Sequence, residues 1–255
     1  MSASNNRLRW GFLLPDTHAP FHHQKAYKTA LAVIAGWCPD FVVCLGDFAD
    51  CNEISSFPKD PSKRMSFQRE ITLVNQALDQ LDEACEAGGV EDKQFLQGNH
   101  ETRLERYVAR QAPELYGFVD WKEALDLDNR GWTVTPYMRS IRYGKLQLTH
   151  DVGRSGVNAA RASMLDLGAS LAFGHTHRMQ VHYQGQLDGS RHVGATLGWL
   201  GDPMAIDYRH RNAVLRDSIH GFGIVHLDPR NGEFWLQAVP IIRGRAVVDG
   251  QIYRG

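Results

Sequence analysis

Asp16, His18, Asp47, Asn99, His150, His175 and His177 all close short apolar runs, in the stretches WGFLLPDTH, FVVCLGD, QFLQGNHE, LQLTHD and LAFGHTH. These side chains offer oxygen and imidazole donors with no cysteine among them, a set that suits borderline divalent cations such as Mn²⁺, Fe, Zn²⁺, Ni²⁺ or Co²⁺. Seven donors are more than one four-coordinate ion takes. They suffice for two ions that share a carboxylate, an arrangement in which metals about 3.5 to 4 Å apart clamp an in-line displacement at phosphorus. The nucleophile in such chemistry is a bridging hydroxide acidified by both cations. Each block alone says little: Gly46-Asp47 and Gly98-Asn99 read as strand-to-loop turns, and Thr149-His150 as a hydrogen-bonded edge histidine. The inference comes from all five blocks together, each following an apolar run.

If those runs are buried strands, their last residues emerge at the carboxyl edge of a sheet, where open α/β sheets place ligands. The spacing predicts a β-α-β opening, with strands over Leu8 to Leu14 and Phe41 to Leu45 around a helix from His22 to Gly36. Pro58 and Pro61 forbid regular structure up to about Ser62. Phe67, Ile71, Val74, Leu78, Leu81 and Cys85 then recur at helical spacing up to Gly88 and Gly89, which predicts a helix packed on the sheet. A third strand is expected over Lys93 to Gln97, helices over Glu101 to Gln111 and Trp121 to Leu127, and strands over Trp132 to Tyr137 and Lys145 to Thr149. A helix over Val157 to Leu167 and a buried strand over Ser170 to Phe173 follow. Beyond these, alternation in Met179 to Tyr183, Arg191 to Leu197, Phe222 to Leu227 and Glu233 to Ile241 predicts a mainly antiparallel sheet stacked on the first.

The 255 residues contain no linker-like tract, so one domain over 1–255 is expected, with disorder confined to 1–6. A net charge of −1 excludes a global field for polyanions, so any nucleic-acid contact must come from local Arg and Lys placement. Cys38, Cys44, Cys51 and Cys85 form no C-x-x-C pair, which suits reduced thiols. With no signal-peptide pattern and no apolar stretch of about 18 residues, the expectation is a cytoplasmic protein without a membrane partner.

In order, D-x-H, G-D-x-x-D, G-N-H-E, H and G-H-x-H, the blocks from Asp16 to His177 resemble the calcineurin-like metallophosphoesterase superfamily. In texture the chain is closest to phage and prophage members, which would put it in the host cytoplasm. The resemblance implies an α/β fold: a layered α/β/β/α sandwich of two mixed sheets flanked by helices, with the dimetal site at strand carboxyl ends. It implies two divalent ions, Mn²⁺ foremost: Asp16, His18 and His177 on one, Asn99, His150 and His175 on the other, and Asp47 bridging. His100 is then the residue facing the substrate phosphate, stabilising charge or protonating the leaving oxygen, with Asp50 orienting its ring. The chain departs from the serine/threonine phosphatase branch at Cys51, where that branch carries a phosphate-binding arginine. That departure favours a phosphodiester of a nucleotide or nucleic acid as substrate, with a phosphomonoester as the alternative and a non-catalytic binding platform as the rival from another class. Arg103, one turn after His100, Arg154 after His150 and Arg178 after the last ligand are the candidate phosphate-binding side chains. His22 and His23 follow the first ligand loop closely enough to line a cleft but read equally as surface residues at a helix start, and Arg209-His210-Arg211 reads as a charged loop, with a basic rim for a nucleotide as the alternative.

Overall fold

Strands that are apolar on both faces must be covered on both faces, and this requirement organises the molecule. In the computed structural model, which describes residues 7–206 and 216–255, the first run becomes strand β1 (Arg9–Leu14) and the next becomes β2 (Phe41–Cys44), joined by helix α1 (Gln24–Trp37). Phe12, Leu14, Val42 and Cys44 point to the helix side, while Leu13, Phe41 and Val43 point the other way. All seven are buried, so neither face can turn to water.

Helix α2 (Phe67–Ala87) starts where the Ser66 side chain accepts from Arg69 N, which satisfies one of the free amides of its first turn. Its buried stripe of Val74, Leu78, Leu81 and Cys85 joins the core against α1 and the sheet, with Phe67 and Ile71 partly buried at its start. Strand β3 (Asp92–Leu96), helices α3 (Thr102–Gln111) and α4 (Trp121–Ala124), and strand β4 (Thr133–Thr135) complete the first half. Strands β5 (Ile141–Tyr143), β6 (Leu146–Thr149), β7 (Ser170–Phe173), β8 (Met179–Gly185) and β9 (Arg191–Leu197), with helix α5 (Ala159–Leu167) between β6 and β7, form the second sheet region. The chain ends with β10 (Gly221–Leu227), β11 (Phe234–Pro240), β12 (Arg245–Val248) and β13 (Gln251–Arg254).

Two mixed sheets result, ordered β11-β10-β1-β2-β3-β4 and β5-β6-β7-β9-β8, with β12-β13 a separate hairpin. Between the sheets lie Leu13, Phe41, Val43, Leu45 and Leu96 from one side and Leu146, Leu148, Ala172, Ala195 and Leu197 from the other. Helices α1 and α2 cover the outer face of the first sheet, and α5 covers the second through Met164 against Leu171 and Phe173. This is the layered α/β/β/α sandwich.

The second half does not segregate as expected. Strands β10 and β11 join the first sheet, antiparallel beside β1, and β6, β7 and β9 run parallel to one another. The physical reason lies in β10: Phe222 stacks on Phe12 in the helix-facing core, with ring centroids 4.6 Å apart, while Val225 enters the core between the sheets. Alternation reports which face a residue takes, not which strand lies beside it. The hairpin β12-β13 and the short strand β5 also had no expected counterpart; Ala246, Val248 and Tyr253 of the hairpin join the core beneath α1.

Candidate metal centre

Strands β1, β2 and β3 are parallel, as are β6 and β7, so the loops after them leave from matching ends. Each loop must turn at once while bringing its donor inward. His18, Asp47, His175 and His177, four of the seven candidate ligands, sit at positive φ (55°, 51°, 65° and 57°). Such backbone costs about 1–3 kcal/mol per non-glycine residue and persists only where surrounding contacts over-determine it. Those contacts are tight: a Cβ on Gly98 would fall 2.2 Å from both Asp47 N and Asp47 Oδ1, and one on Gly174 would fall 2.5 Å from Asp16 Oδ2. The glycines of these blocks are therefore places where one ligand loop lies against the ligand of another, beyond their service as turn residues.

Three donor groups emerge among the described residues, two of them built from the candidate ligands and the third joining His18 to Asp50 and His100. Asp16, His18 and His177 present ligand atoms within 4.8 Å of one another, and so do Asp47, His150 and His175. In the first, His18 Nε2 lies 3.0 Å from His177 Nε2, and His177 Nε2 lies 3.8 Å from Asp16 Oδ1. In the second, Asn99 Oδ1 reaches His150 Nε2 at 3.1 Å and His175 Nδ1 at 2.8 Å, while Asp47 Oδ2 is 3.3 Å from His150 Nε2.

The donor chemistry fits divalent cations. His18 Nδ1 donates to Asp50 Oδ1 at 2.8 Å and His150 Nδ1 donates to the Leu45 carbonyl at 2.8 Å, so each ring in its neutral form turns an Nε2 lone pair into the site. Burial depresses the pKa of His18 and of His177, which keeps both imidazoles neutral. Asp16 Oδ1 accepts from His175 N at 2.7 Å, but its other oxygen is buried with no hydrogen-bond partner. Burial pushes the Asp16 carboxyl up to about 8. For His150, burial alone would lower the pKa, yet Asp47 and Asp16 outweigh it and raise it to about 10. An orphaned buried carboxylate and an imidazole pulled toward its charged form are both signs of a place that seeks positive charge.

Beside these groups, His100 Nδ1 lies 2.9 Å from the Asp50 carbonyl and 3.0 Å from Asp50 Oδ1. Asp50 Oδ1 therefore serves His18 and His100 together. Burial opposes charge on His100, but Asp47 and Asp50 prevail and its pKa is raised. Arg103, nearly buried, donates to the Asp50 carbonyl at 2.7 Å and to His100 Nε2 at 2.9 Å, so it stands at the site. Arg154 instead pairs with Asp166 at 2.8 Å, and Arg178 with Asp217 at 3.2 Å. Cys51 is buried, and burial holds its thiol well above its usual pKa, so this position carries no charge. His23 caps α1 by accepting from Ala26 N at 3.2 Å, and His22 is buried against Tyr27. The cluster Arg209-His210-Arg211 lies outside the described residues, as does the 1–6 stretch.

Three contributors were not read from the sequence. Glu101, fully buried, accepts from Asp47 N (3.1 Å), Ala49 N (2.9 Å) and Gly98 N (2.8 Å), and so ties the β2 loop to the β3 loop. Burial, with the nearby Asp47 charge, raises its carboxyl to about 7. Its signal was present in the GNHE block, where the acid follows the two polar residues directly. Trp199, buried, stacks on His177 with centroids 4.5 Å apart and meets the edge of His18 at 6.0 Å. Tyr137 donates to Asp151 Oδ2 at 2.8 Å, and that carboxylate approaches His175 Nε2 at 3.9 Å. No local pattern marks either of these, because both contacts cross between distant segments.

No family model matches the chain. It is similar to the Gene 54 protein of Mycobacterium phage D29, 26% identical over 251 residues that cover 94% of this chain and 97% of that protein. The Gene 54 protein of Mycobacterium phage L5 is likewise 26% identical, over 262 residues with the same coverage. Among solved structures, vacuolar protein sorting 29 from Cryptosporidium parvum is 14% identical and covers 98% of this chain and 97% of its own, with a TM-score of 0.49. TT1561 of Thermus thermophilus is 9% identical over 91% of this chain and 99% of its own, with a TM-score of 0.38. No helix among the described residues is long and apolar enough to cross a membrane.

Proposed function

We propose that this chain is a two-metal hydrolase of phosphate esters that acts on phosphodiesters. The observation that carries the reading is the pair of adjoining His/Asp groups at one edge of the sandwich. Asp16, His18 and His177 would hold one cation, Asn99, His150 and His175 the other, with Asp47 shared. Two such ions, when bound, supply charge neutralisation to the phosphoryl oxygens and acidify the attacking water.

The chain's own residues do the rest. Asp50 fixes the His100 ring, and Arg103 donates to the ring nitrogen on the opposite side. In that arrangement Nε2 carries the lone pair. The carboxylates of Asp47 and Asp50 favour a second proton on the ring, and a protonated Nε2 turns Arg103 away. A phosphate ester entering there meets the guanidinium on one of its oxygens and an imidazolium proton for its leaving oxygen. The mixed oxygen and imidazole donors suit several borderline divalent ions, and among these Mn²⁺ is the ion we assign, on the resemblance of the ligand blocks to the calcineurin-like metallophosphoesterases.

The diester preference rests on charge. A monoester dianion needs more local positive charge than a diester monoanion, and a neutral buried thiol stands at Cys51. Arg103 is the one guanidinium in contact with His100 among the described residues. Matched aryl phosphates test this: with Mn²⁺ the protein is expected to turn over bis(p-nitrophenyl) phosphate faster than p-nitrophenyl phosphate. A monoester preference would overturn the substrate assignment, and protein that takes up metal yet hydrolyses neither would overturn the hydrolase reading.

A further inference from the structure

Helix α3 carries its positive charge well past the candidate site. Arg106, Tyr107 and Arg110 follow Arg103 at three, four and seven residues, which places all four on one stripe, while Leu104 and Val108 bury the other side. Like charges at that spacing repel, and among the described residues neither Arg106 nor Arg110 has a carboxylate partner to offset the repulsion. Arg154, Arg191 and Arg230, also exposed, are each paired with an acid, whereas exposed Arg69, Arg139, Arg142 and Arg161 lack one among the described residues, as Arg106 and Arg110 do; what sets this pair apart is its place in a row that leads to the candidate site.

This stripe forms one wall of a groove of about 230 Å³. The facing wall is the segment from Ile54 to Phe57, and the inner end is closed by Asn99 and Arg103, both at the candidate metal centre. Two aromatic side chains line it in the open: Phe57 is 66% exposed and Tyr107 45%. Unpaired cations in a row beside exposed aromatic rings describe what an unpaired nucleic-acid strand requires, since phosphates track the charge and bases stack on the rings. Rising about 1.5 Å per residue, the helix carries the charge from Arg103 to Arg110 over about 10 Å, which exceeds the reach of a single phosphate.

We infer that the groove between α3 and the 54–57 segment holds a single-stranded polynucleotide and leads one of its phosphodiesters to the metal centre. Its backbone lies along Arg103, Arg106 and Arg110, and its bases lie over Phe57 and Tyr107. Duplex is disfavoured because its bases are already stacked on one another and so are not free to lie over Phe57 and Tyr107. The inference rests on the phosphodiesterase reading for the fate of the strand, but binding in the groove can be measured apart from it.

The test is fluorescence anisotropy with the full chain in Mn²⁺ and a labelled, phosphorothioate-linked oligothymidine. The double variant Arg106→Gln with Arg110→Gln keeps good helix-forming residues, and an unchanged thermal midpoint verifies its fold. It is expected to bind the strand at least about tenfold more weakly, and the slope of log affinity against log salt should fall by about 1.4, or about 0.7 for each lost phosphate contact. Phe57→Ala should weaken binding of the thymidine strand but not of an abasic strand of equal length. The inference is overturned if the double variant binds as the wild type does, if duplex binds as tightly as single strand, or if thymidine monophosphate competes as well as the oligonucleotide. Wild-type turnover of bis(p-nitrophenyl) phosphate is read separately. Its absence alongside arginine-dependent strand binding would remove the hydrolase and leave the groove.

Discussion

Glu101 offers the sharpest test of how the centre is built, because it touches no substrate and is not among the candidate ligands. Its carboxylate receives three backbone N–H groups, from Asp47, Ala49 and Gly98, in a place with no access to water. In Glu101→Ala those donors lose their acceptor, and a buried donor left unsatisfied costs about 1–3 kcal/mol. At the low end of that range the three together cost about 3 kcal/mol. For a protein of this size 1 kcal/mol moves the melting midpoint by about 2–4 °C, so a drop of about 6–12 °C is expected. Asp47 and Asn99 hang on the two loops that Glu101 joins, so Mn²⁺ affinity should fall about 10- to 100-fold, as for other residues that position ligands. Glu101→Gln keeps the volume and one acceptor oxygen, and should lose about half as much stability. Scanning calorimetry and Mn²⁺ titration calorimetry read both quantities. An alanine variant that melts within about 2 °C of the wild type and binds Mn²⁺ as well would refute this account of the loops.

Three further outcomes are expected. His100→Ala should retain its metal content, measured by elemental analysis, while kcat on an aryl diester falls about 10²- to 10⁴-fold; an unchanged kcat would remove His100 from the chemistry. Gly98→Ala forces a Cβ to 2.2 Å from the Asp47 backbone nitrogen, which has no flexible neighbour to yield, so the folded protein should take up less Mn²⁺; full uptake would show that the loop adapts. Burial raises Glu70 to about 7, above its unfolded value near 4.5, so its stabilising contribution is complete below about pH 4.5 and is lost as pH rises through 7. In urea unfolding the wild type should therefore lose more stability between about pH 5 and pH 8 than Glu70→Gln does, and equal losses would contradict the raised pKa.

Much of this arrangement was legible in the chain because strand and ligand share a segment. Residues such as Phe12 to Asp16 and Leu171 to His175 state both a buried strand and a donor at its exit, and the structure brings these donors into two adjoining groups. The α2 stripe was readable for the same reason, since helical spacing marks the face that must be covered. What escaped depends on contacts across the sequence. That β10 lies beside β1 is settled by Phe222 meeting Phe12, about 210 residues apart, and alternation within either strand holds no record of it. Glu101 looked like the first residue of a helix, and its true partners are three amides, two of them on another loop. Arg106 and Arg110 belong to no ligand block and went unread in the sequence; they gain meaning only because the fold brings them, with Phe57 and Asn99, to the lining of one groove.

The most direct test of the central claim is anomalous diffraction from crystals of the protein soaked in Mn²⁺, recorded at the manganese edge. The account predicts two peaks about 3.5 to 4 Å apart, one against Asp16, His18 and His177 and one against Asn99, His150 and His175, with Asp47 touching both. A single peak, or two that share no carboxylate, would contradict it.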